Sequence, residues 1–194
     1  MSTARARSPE IVLVRHGETE WSRSGRHTGR TDVPLTEQGR LEAEALGDSL
    51  RGRRFALVLA SPLARAMETC RRAGFGDVAV ARDELQEWDY GAYEGRRTDD
   101  IRDERPGWTV WRDGVPDGET AAEVGARADA VIAELRDVDG DSVVFAHGHL
   151  LRVLAARWLG LEPSAGRFFA LDTATTSVLG HERETAVIRV WNEP

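Results

Sequence analysis

The sequence predicts an α/β fold: a three-layer sandwich whose mostly parallel sheet carries helices on both faces, with a C-terminal hairpin bringing an antiparallel strand. Three observations predict it. Short apolar runs at Ile11–Val14, Phe55–Ala60 and Ser142–Ala146 read as strands buried on both faces. Segments with helical periodicity separate these runs, the alternation that builds a parallel sheet. Two alternating stretches, Thr175–Leu179 and Ala186–Trp191, follow with a polar turn between them and read as a hairpin.

Each element has a local cause. Thr36 is placed to cap a helix from about Glu37 to Leu50, with Leu41, Ala45 and Leu46 on one face and Gly52 beyond its end. Ser61-Pro62 reads as a cap followed by proline in the first turn, opening a helix to about Arg72. Val78–Ala81 is a weaker strand. Residues 84–118 are irregular and rich in Trp, Tyr, Gly and Asp, with one short helix near Asp99–Glu104; they are expected to lie over the ligand site. Their aromatics, Trp88, Tyr90, Tyr93, Trp108 and Trp111, are expected to pack that region. Glu119–Leu135 is a long helix with Val124, Ala128, Val131, Ile132 and Leu135 at helical spacing. Leu150–Leu159 is another, with Leu151, Leu154, Ala155 and Trp158 inward. Residues 1–9 read as a disordered tail and 10–194 as a single domain.

Composition narrows the chemistry. The 194 residues carry 26 basic side chains against 33 acidic ones, a net charge of −7, and every basic one is arginine. Without lysine there is no P-loop lysine, no Schiff-base lysine and no protein-kinase lysine. Any anion must be held by Arg, His or backbone N–H groups. The acidic balance argues against a nucleic-acid partner. No apolar run approaches the ~20 residues of a membrane span, and the expected location is the cytoplasm. Cys70 stands alone, which excludes an internal disulfide and a cysteine-rich metal site.

In a parallel sheet the ligand crevice lies beyond the carboxyl ends of the strands. Arg15-His16-Gly17-Glu18-Thr19 follows the first apolar run, Ser61 to Thr69 the second and His147-Gly148-His149 the third. Arginines and histidines converging there suit a phosphate better than a metal. A zinc pair at His147 and His149 lacks an obvious third ligand. No metal and no cofactor is expected.

Read together, these pieces resemble the histidine phosphatase superfamily, which includes the cofactor-dependent phosphoglycerate mutases. The family-like segments occur in order: Arg15 to Thr19, Gly29 to Thr36, Ser61 through Arg65 to Thr69, Glu87 through Tyr90 to Gly95, Asp117 to Thr120, and His147-Gly148 through Arg152. Trp21-Ser22, Arg26 to Gly29 and Trp88 to Gly95 look most like a branch of small sugar-phosphate and acid phosphatases, sedoheptulose-bisphosphatase-like enzymes among them.

The resemblance implies roles. His16 is the nucleophile that forms a phosphohistidine, with a backbone carbonyl such as that of Gly17 fixing its tautomer. Arg15, Arg65 and His147 clamp the phosphoryl oxygens. Glu87 is the acid/base, protonated as the leaving oxygen departs and ionised to activate water, so acidic to neutral pH favours its acid role. Thr28, Gly29 and the Gly148 N–H match phosphate-contacting positions; Ser22 stands where many members place Asn. Arg26, His27 and His149 are candidate substrate contacts.

The expected function is a metal-independent phosphomonoesterase acting on a small phosphate ester, as a monomer or homodimer with no nucleic-acid or membrane partner. A mutase is the alternative. The short interval from Gly95 to Gly118 and the absence of Asn-Ser after His147-Gly148 speak for hydrolysis. A non-catalytic phospho-ligand module would lack His16, Arg65 or His147, and all three are present.

Overall fold

Successive residues of a strand point to opposite faces. In the first apolar run both sets are apolar: Ile11 and Leu13 on one side, Val12 and Val14 on the other. Such a strand needs a layer on each face. The computed structural model describes residues 8–194 and has that arrangement. The strands are β1 (Ile11–Arg15), β2 (Leu57–Ala60), β3 (Val80–Ala81), β4 (Ser142–Ala146), β5 (Thr176–Glu182) and β6 (Thr185–Glu193), ordered β3-β2-β4-β1-β5-β6 in one sheet. The pairs β2–β3, β2–β4 and β1–β4 are parallel; β5 runs antiparallel to β1 and to β6. The helices are α1 (Glu20–Arg23), α2 (Glu37–Ser49), α3 (Ala64–Arg72), α4 (Thr98–Glu104), α5 (Val110–Asp113), α6 (Ala121–Arg136) and α7 (Gly148–Trp158).

One face of the sheet packs Leu13, Leu59 and Val144 against α6 and α7 through Val124, Val131, Leu151 and Leu154. The other packs Val14, Val58 and Phe145 against Leu46, Leu50 and Cys70 of α2 and α3 and their ends. The α/β class, the mostly parallel sheet and the terminal hairpin are therefore as the sequence predicts. Of the expected tail at 1–9, residues 1–7 lie outside the described residues. No helix among the described residues is long and apolar enough to cross a membrane.

Several details differ. In α2 the buried positions are Gly39, Ala43 and Leu46, while Leu41 is 54% exposed and Ala45 is also exposed. The cause is backbone packing at the helix start. A Cβ on Gly17 would stand 2.3 Å from the Gly39 carbonyl oxygen, and one on Gly39 would stand 2.1 Å from that of Glu18. The two glycines let α2 press its backbone against the chain leaving β1, and that contact sets which stripe faces inward. Ser61-Pro62 does not cap α3, which starts at Ala64 and takes an acceptor from Asp32 Oδ1 to the Ala64 N–H, 2.9 Å. The second strand starts at Leu57, because Phe55 leaves it to pack edge-on to Phe75. The weak third strand shortens to Val80–Ala81 behind a 3-10 turn. The β5–β6 register shifts twice between Thr176 and Leu179.

Strand register places the chemistry. Arg15 pairs with Ala146 and Ala60 with Phe145, so His16, Ser61 and His147 leave the sheet side by side. Two backbone bonds extend this alignment past the strands: His16 N–H to Ala146 O at 3.0 Å and Ser61 N–H to Phe145 O at 2.9 Å.

The inward stripe of α2 is open to measurement by urea denaturation. Leu46→Ala should cost about 2–5 kcal/mol, whereas Leu41→Ala should stay within about 0.5 kcal/mol; the reverse order would refute the stripe.

Candidate active site

His16 is buried at the end of β1. Its Nδ1 lies 2.8 Å from the Gly17 carbonyl oxygen. A carbonyl only accepts, so Nδ1 carries the proton and Nε2 keeps its lone pair. Burial first, then the Arg65 and Arg15 charges, hold His16 well below the usual histidine pKa. The imidazole is therefore neutral across ordinary pH, with Nε2 free to attack.

Arg65, on α3, is fully buried. Its Nε donates to His147 Nδ1 at 3.2 Å, and its terminal nitrogens donate to the carbonyls of Thr28, Gly29 and Thr31 at 2.9–3.1 Å. Because Arg65 can only donate, His147 Nδ1 accepts, and His147 Nε2–H donates to Ser61 Oγ at 2.7 Å. Both nitrogens of His147 are thus engaged, and its ring stands edge-on to His16 with centroids 5.2 Å apart. Burial first, then Arg65, lowers the His147 pKa far below its ordinary value.

Arg15 leaves β1 beside them. One terminal nitrogen donates to the Leu171 carbonyl. Its Nε is buried with no acceptor among the described residues. Gly148, the first residue of α7, makes room for that guanidinium: a Cβ there would stand 3.2 Å from Arg15 Nε. A buried charged donor without an acceptor is costly, and here it adjoins a helix N-terminus, where an anion is favoured.

Glu87 is buried opposite. Its Oε1 accepts from the N–H groups of Trp88 and Leu150, both at 2.9 Å, and Oε2 from that of His149 at 3.0 Å. The carboxylate thereby caps α7 from another part of the chain. Oε2, with one N–H, retains more acceptor capacity than Oε1, with two.

Of these groups His16, Arg15, Glu87 and Gly148 line one cleft of about 380 Å³, whereas Arg65 and His147, both fully buried, are not among its lining residues. A scan of the sequence against family models matches residues 11–194 to the histidine phosphatase superfamily (branch 1). The chain belongs to the histidine phosphatase superfamily. It is 40% identical to an acid phosphatase of Mycobacterium tuberculosis (strain ATCC 25618 / H37Rv), over 97% of this chain and 96% of that protein. It is 38% identical to the sedoheptulose 1,7-bisphosphatase of Saccharomyces cerevisiae, over 79% and 69%. A solved structure of an open reading frame product from Mycobacterium tuberculosis superposes with a TM-score of 0.91 at 39% identity, covering 96% of this chain and 98% of that one. As a histidine phosphatase the protein is an enzyme of the phosphoric monoester hydrolase class.

The other expected site residues of this histidine phosphatase fall into two sets. Ser22, Arg26, His27, Thr28 and His149 line the cleft with Gly148. Gly29 is not among the lining residues; its N–H goes to Glu94 Oε1 at 2.8 Å and its carbonyl to Arg65. Ser22 is also occupied locally, closing a capping box with Thr19 at the start of α1. His27 Nε2 lies 3.2 Å from Thr98 Oγ1, and burial lowers its pKa to about 4. His149 Nδ1 shares a 2.5 Å hydrogen bond with the Tyr90 hydroxyl, among the rings of Trp88 and Trp111. His147 and His149 therefore sit in separate clusters. Trp88, Tyr90, Tyr93 and Trp108 are buried, as the packing expectation has it, yet Tyr90, Trp108 and Trp111 also wall the cleft.

The supports of these groups are not legible in the sequence. Arg127 on α6 donates to the carbonyls of Glu84 and Gln86 at 2.7 and 2.8 Å and to that of Glu87 at 3.4 Å, while both Glu119 oxygens hold its guanidinium. Glu119 Oε2 also accepts the Asp89 N–H at 2.8 Å. The Asp117-Gly118-Glu119-Thr120 segment thus braces the strand of chain carrying Glu87. Glu94 does the same for the loop under Arg65, accepting from Gly29 and Thr31. Arg127 is a positioning residue: Arg127→Met should lower kcat by up to roughly 100-fold with a smaller change in KM, read by steady-state kinetics on one ester. An unchanged kcat would remove Arg127 from the support of Glu87.

The buried and half-buried histidines also set a stability trend. His16, His27, His147 and His149 have folded pKa values below the unfolded value near 6.5. Below that pH the unfolded chain takes up protons that the folded one refuses, so stability falls with pH. The loss begins near 6.5 and, for His27, continues to about 4. Urea midpoints should drop between pH 7 and pH 5; a rise would contradict buried neutral imidazoles.

Proposed function

We propose that this enzyme is a metal-independent phosphomonoesterase that hydrolyses small phosphorylated metabolites, sugar phosphates among them, through a phosphohistidine on His16. The observation that carries this is a nucleophile with its lone pair already aimed, next to a buried cation awaiting an acceptor. His16 has its Nδ1–H committed to Gly17, and Arg15 Nε has no protein partner.

The chemistry follows in two displacements. The His16 Nε2 lone pair forms a bond to phosphorus as the bond from phosphorus to the ester oxygen breaks, and Glu87 gives its proton to that departing oxygen. Positive charge on the imidazole is eased by the Nδ1–H bond to Gly17. Water then attacks phosphorus, Glu87 takes a proton from it, the nitrogen–phosphorus bond breaks, and neutral His16 returns with inorganic phosphate. Charge on the phosphoryl oxygens meets Arg15 and the amide end of α7; Arg65, with four of its N–H bonds spent on protein acceptors, acts mainly through its field. Exposed Arg26 and Arg102 at the rim leave the cleft open to water, which supports hydrolysis over return of the phosphoryl group to substrate. The acid phosphatase and bisphosphatase relatives support the same choice.

The test is phosphate release over a panel of phosphorylated metabolites and p-nitrophenyl phosphate. His16→Ala should lose roughly a thousandfold or more in kcat. Glu87→Gln should lose roughly 10²–10⁴-fold on alkyl esters and distinctly less on p-nitrophenyl phosphate, whose leaving group needs no proton. Turnover surviving in His16→Ala would overturn the covalent route, and activity lost to a chelator would overturn metal independence.

A further inference from the structure

Arg105 follows directly on α4. Its N–H returns to the Ile101 carbonyl at 2.8 Å, and its own carbonyl accepts the Trp108 N–H at 3.0 Å. One terminal nitrogen, Nη1, donates to the Tyr93 hydroxyl at 3.1 Å. The guanidinium is thereby held at one corner, while Nε and Nη2 make no bond to a described residue. Those two N–H groups lie on one edge of the guanidinium and form a fork spaced for the two oxygens of a carboxylate. The chain uses this fork repeatedly. Arg82 presents Nε and Nη2 to Glu134, Arg97 to Asp100, Arg112 to Asp113, Arg127 to Glu119 and Arg157 to Asp129. Arg105 carries the same fork without a carboxylate on it.

Arg105 lines a second hollow, of about 280 Å³, with Pro106, Trp108, Arg112 and Asp113. Two of the charges there are already matched. Besides holding each other, Arg112 donates to the Gly107 carbonyl at 2.7 Å and Asp113 accepts the Thr109 N–H at 2.8 Å. What remains is the single positive charge of Arg105, and Pro106 and Trp108 supply the apolar surface. The hollow is distinct from the catalytic cleft but backs onto it, since Trp108 lines both. The Trp108 ring stands edge-on to Tyr93 at 5.3 Å and to His27 at 5.6 Å, and its carbonyl holds Arg102 Nε at 2.9 Å. His27 and Arg102 belong to the cleft lining. An unbroken run of contacts, Arg105 to Tyr93 to Trp108 to His27, thus joins the hollow to the cleft.

We propose that this hollow is an effector site for a small aromatic carboxylate, separate from the substrate's own site. The acid group forks onto Arg105 and the ring lies against Pro106 and Trp108. One unmatched charge suits a monoanion, and a volume just below the range of drug-sized sites suits a single ring. Because Trp108 is a wall of both spaces, an acid bound on its outer side alters substrate affinity in the cleft. By linkage, substrate alters the affinity for the acid by the same factor.

The test uses benzoate on the full chain. Calorimetric titration should show one benzoate site in the wild type. Arg105→Gln should weaken it by roughly tenfold or more, and Arg105→Lys, which keeps the charge and loses the fork, should weaken it nearly as much. Tyr93→Phe, which releases the guanidinium from its tether, should weaken it by a smaller factor. Arg15→Met, which removes the free donor of the catalytic cleft, should leave it in place. No benzoate binding to the wild type, binding that survives in Arg105→Gln, or binding lost in Arg15→Met would each overturn the site. These titrations need no turnover, so they stand or fall apart from the phosphohistidine route. With p-nitrophenyl phosphate as substrate, saturating benzoate should shift the wild-type KM by roughly fivefold or more to a plateau, and should leave the KM of Arg105→Gln unchanged. Competitive inhibition without a plateau, equal in the wild type and Arg105→Gln, would put benzoate in the cleft and overturn the proposal. Binding at Arg105 with KM unchanged would overturn the effector role.

Discussion

The guanidinium of Arg65 has to be satisfied in the interior without touching a carboxylate. A buried charge left unpaired is among the costliest things a fold can contain. Here three carbonyls of the Thr28–Thr31 loop and one histidine nitrogen meet it. That solution organises the rest. The loop must turn its carbonyls inward toward Arg65, and Glu94 then takes the N–H groups of Gly29 and Thr31 that this leaves on the other side. His147 must offer a lone pair, which fixes its proton on the far nitrogen and ties it to Ser61. His16, beside this buried positive charge, is kept neutral.

Charge in this molecule is therefore segregated by depth. The acidic excess lies on the outside, in ion pairs such as Glu20–Arg23 and Asp48–Arg51 that are largely solvated and contribute little. The interior of the cleft holds cations, neutral imidazoles and one carboxylate, Glu87, seated on the amide end of α7. Net charge misleads as a guide to such a site, because a few desolvated groups outweigh many screened ones.

What the sequence disclosed and what it withheld divide along a physical line. Strand ends and their residues were legible, since apolar runs locate strands and the crevice rule locates their carboxyl ends: Arg15, His16 and His147 follow directly. The Gly17 carbonyl as partner of His16 was legible through family resemblance. The buried stripe of α2 was not, because Gly39 overrides the pattern of larger apolar residues by a backbone contact with Gly17 that periodicity does not register. Ser61 reads as a cap locally but serves a histidine 86 positions away. Arg127 looked like one more charged residue on a helix, and its five bonds to the Glu84–Glu87 backbone and Glu119 depend on chain segments that only the folded molecule brings together.

The two margins of the sheet differ in a way that bears on behaviour at high concentration. A sheet margin is a row of unmatched donors and acceptors that invites another chain to pair with it. β3 offers only two residues. β6 offers nine, a length that would be hazardous if flat. The double register shift between Thr176 and Leu179 twists that ribbon, and the Arg189 guanidinium folds back to the His181 carbonyl across its face. The long terminal strand thus carries irregularity in its pairing with β5 rather than a flat, regular ladder.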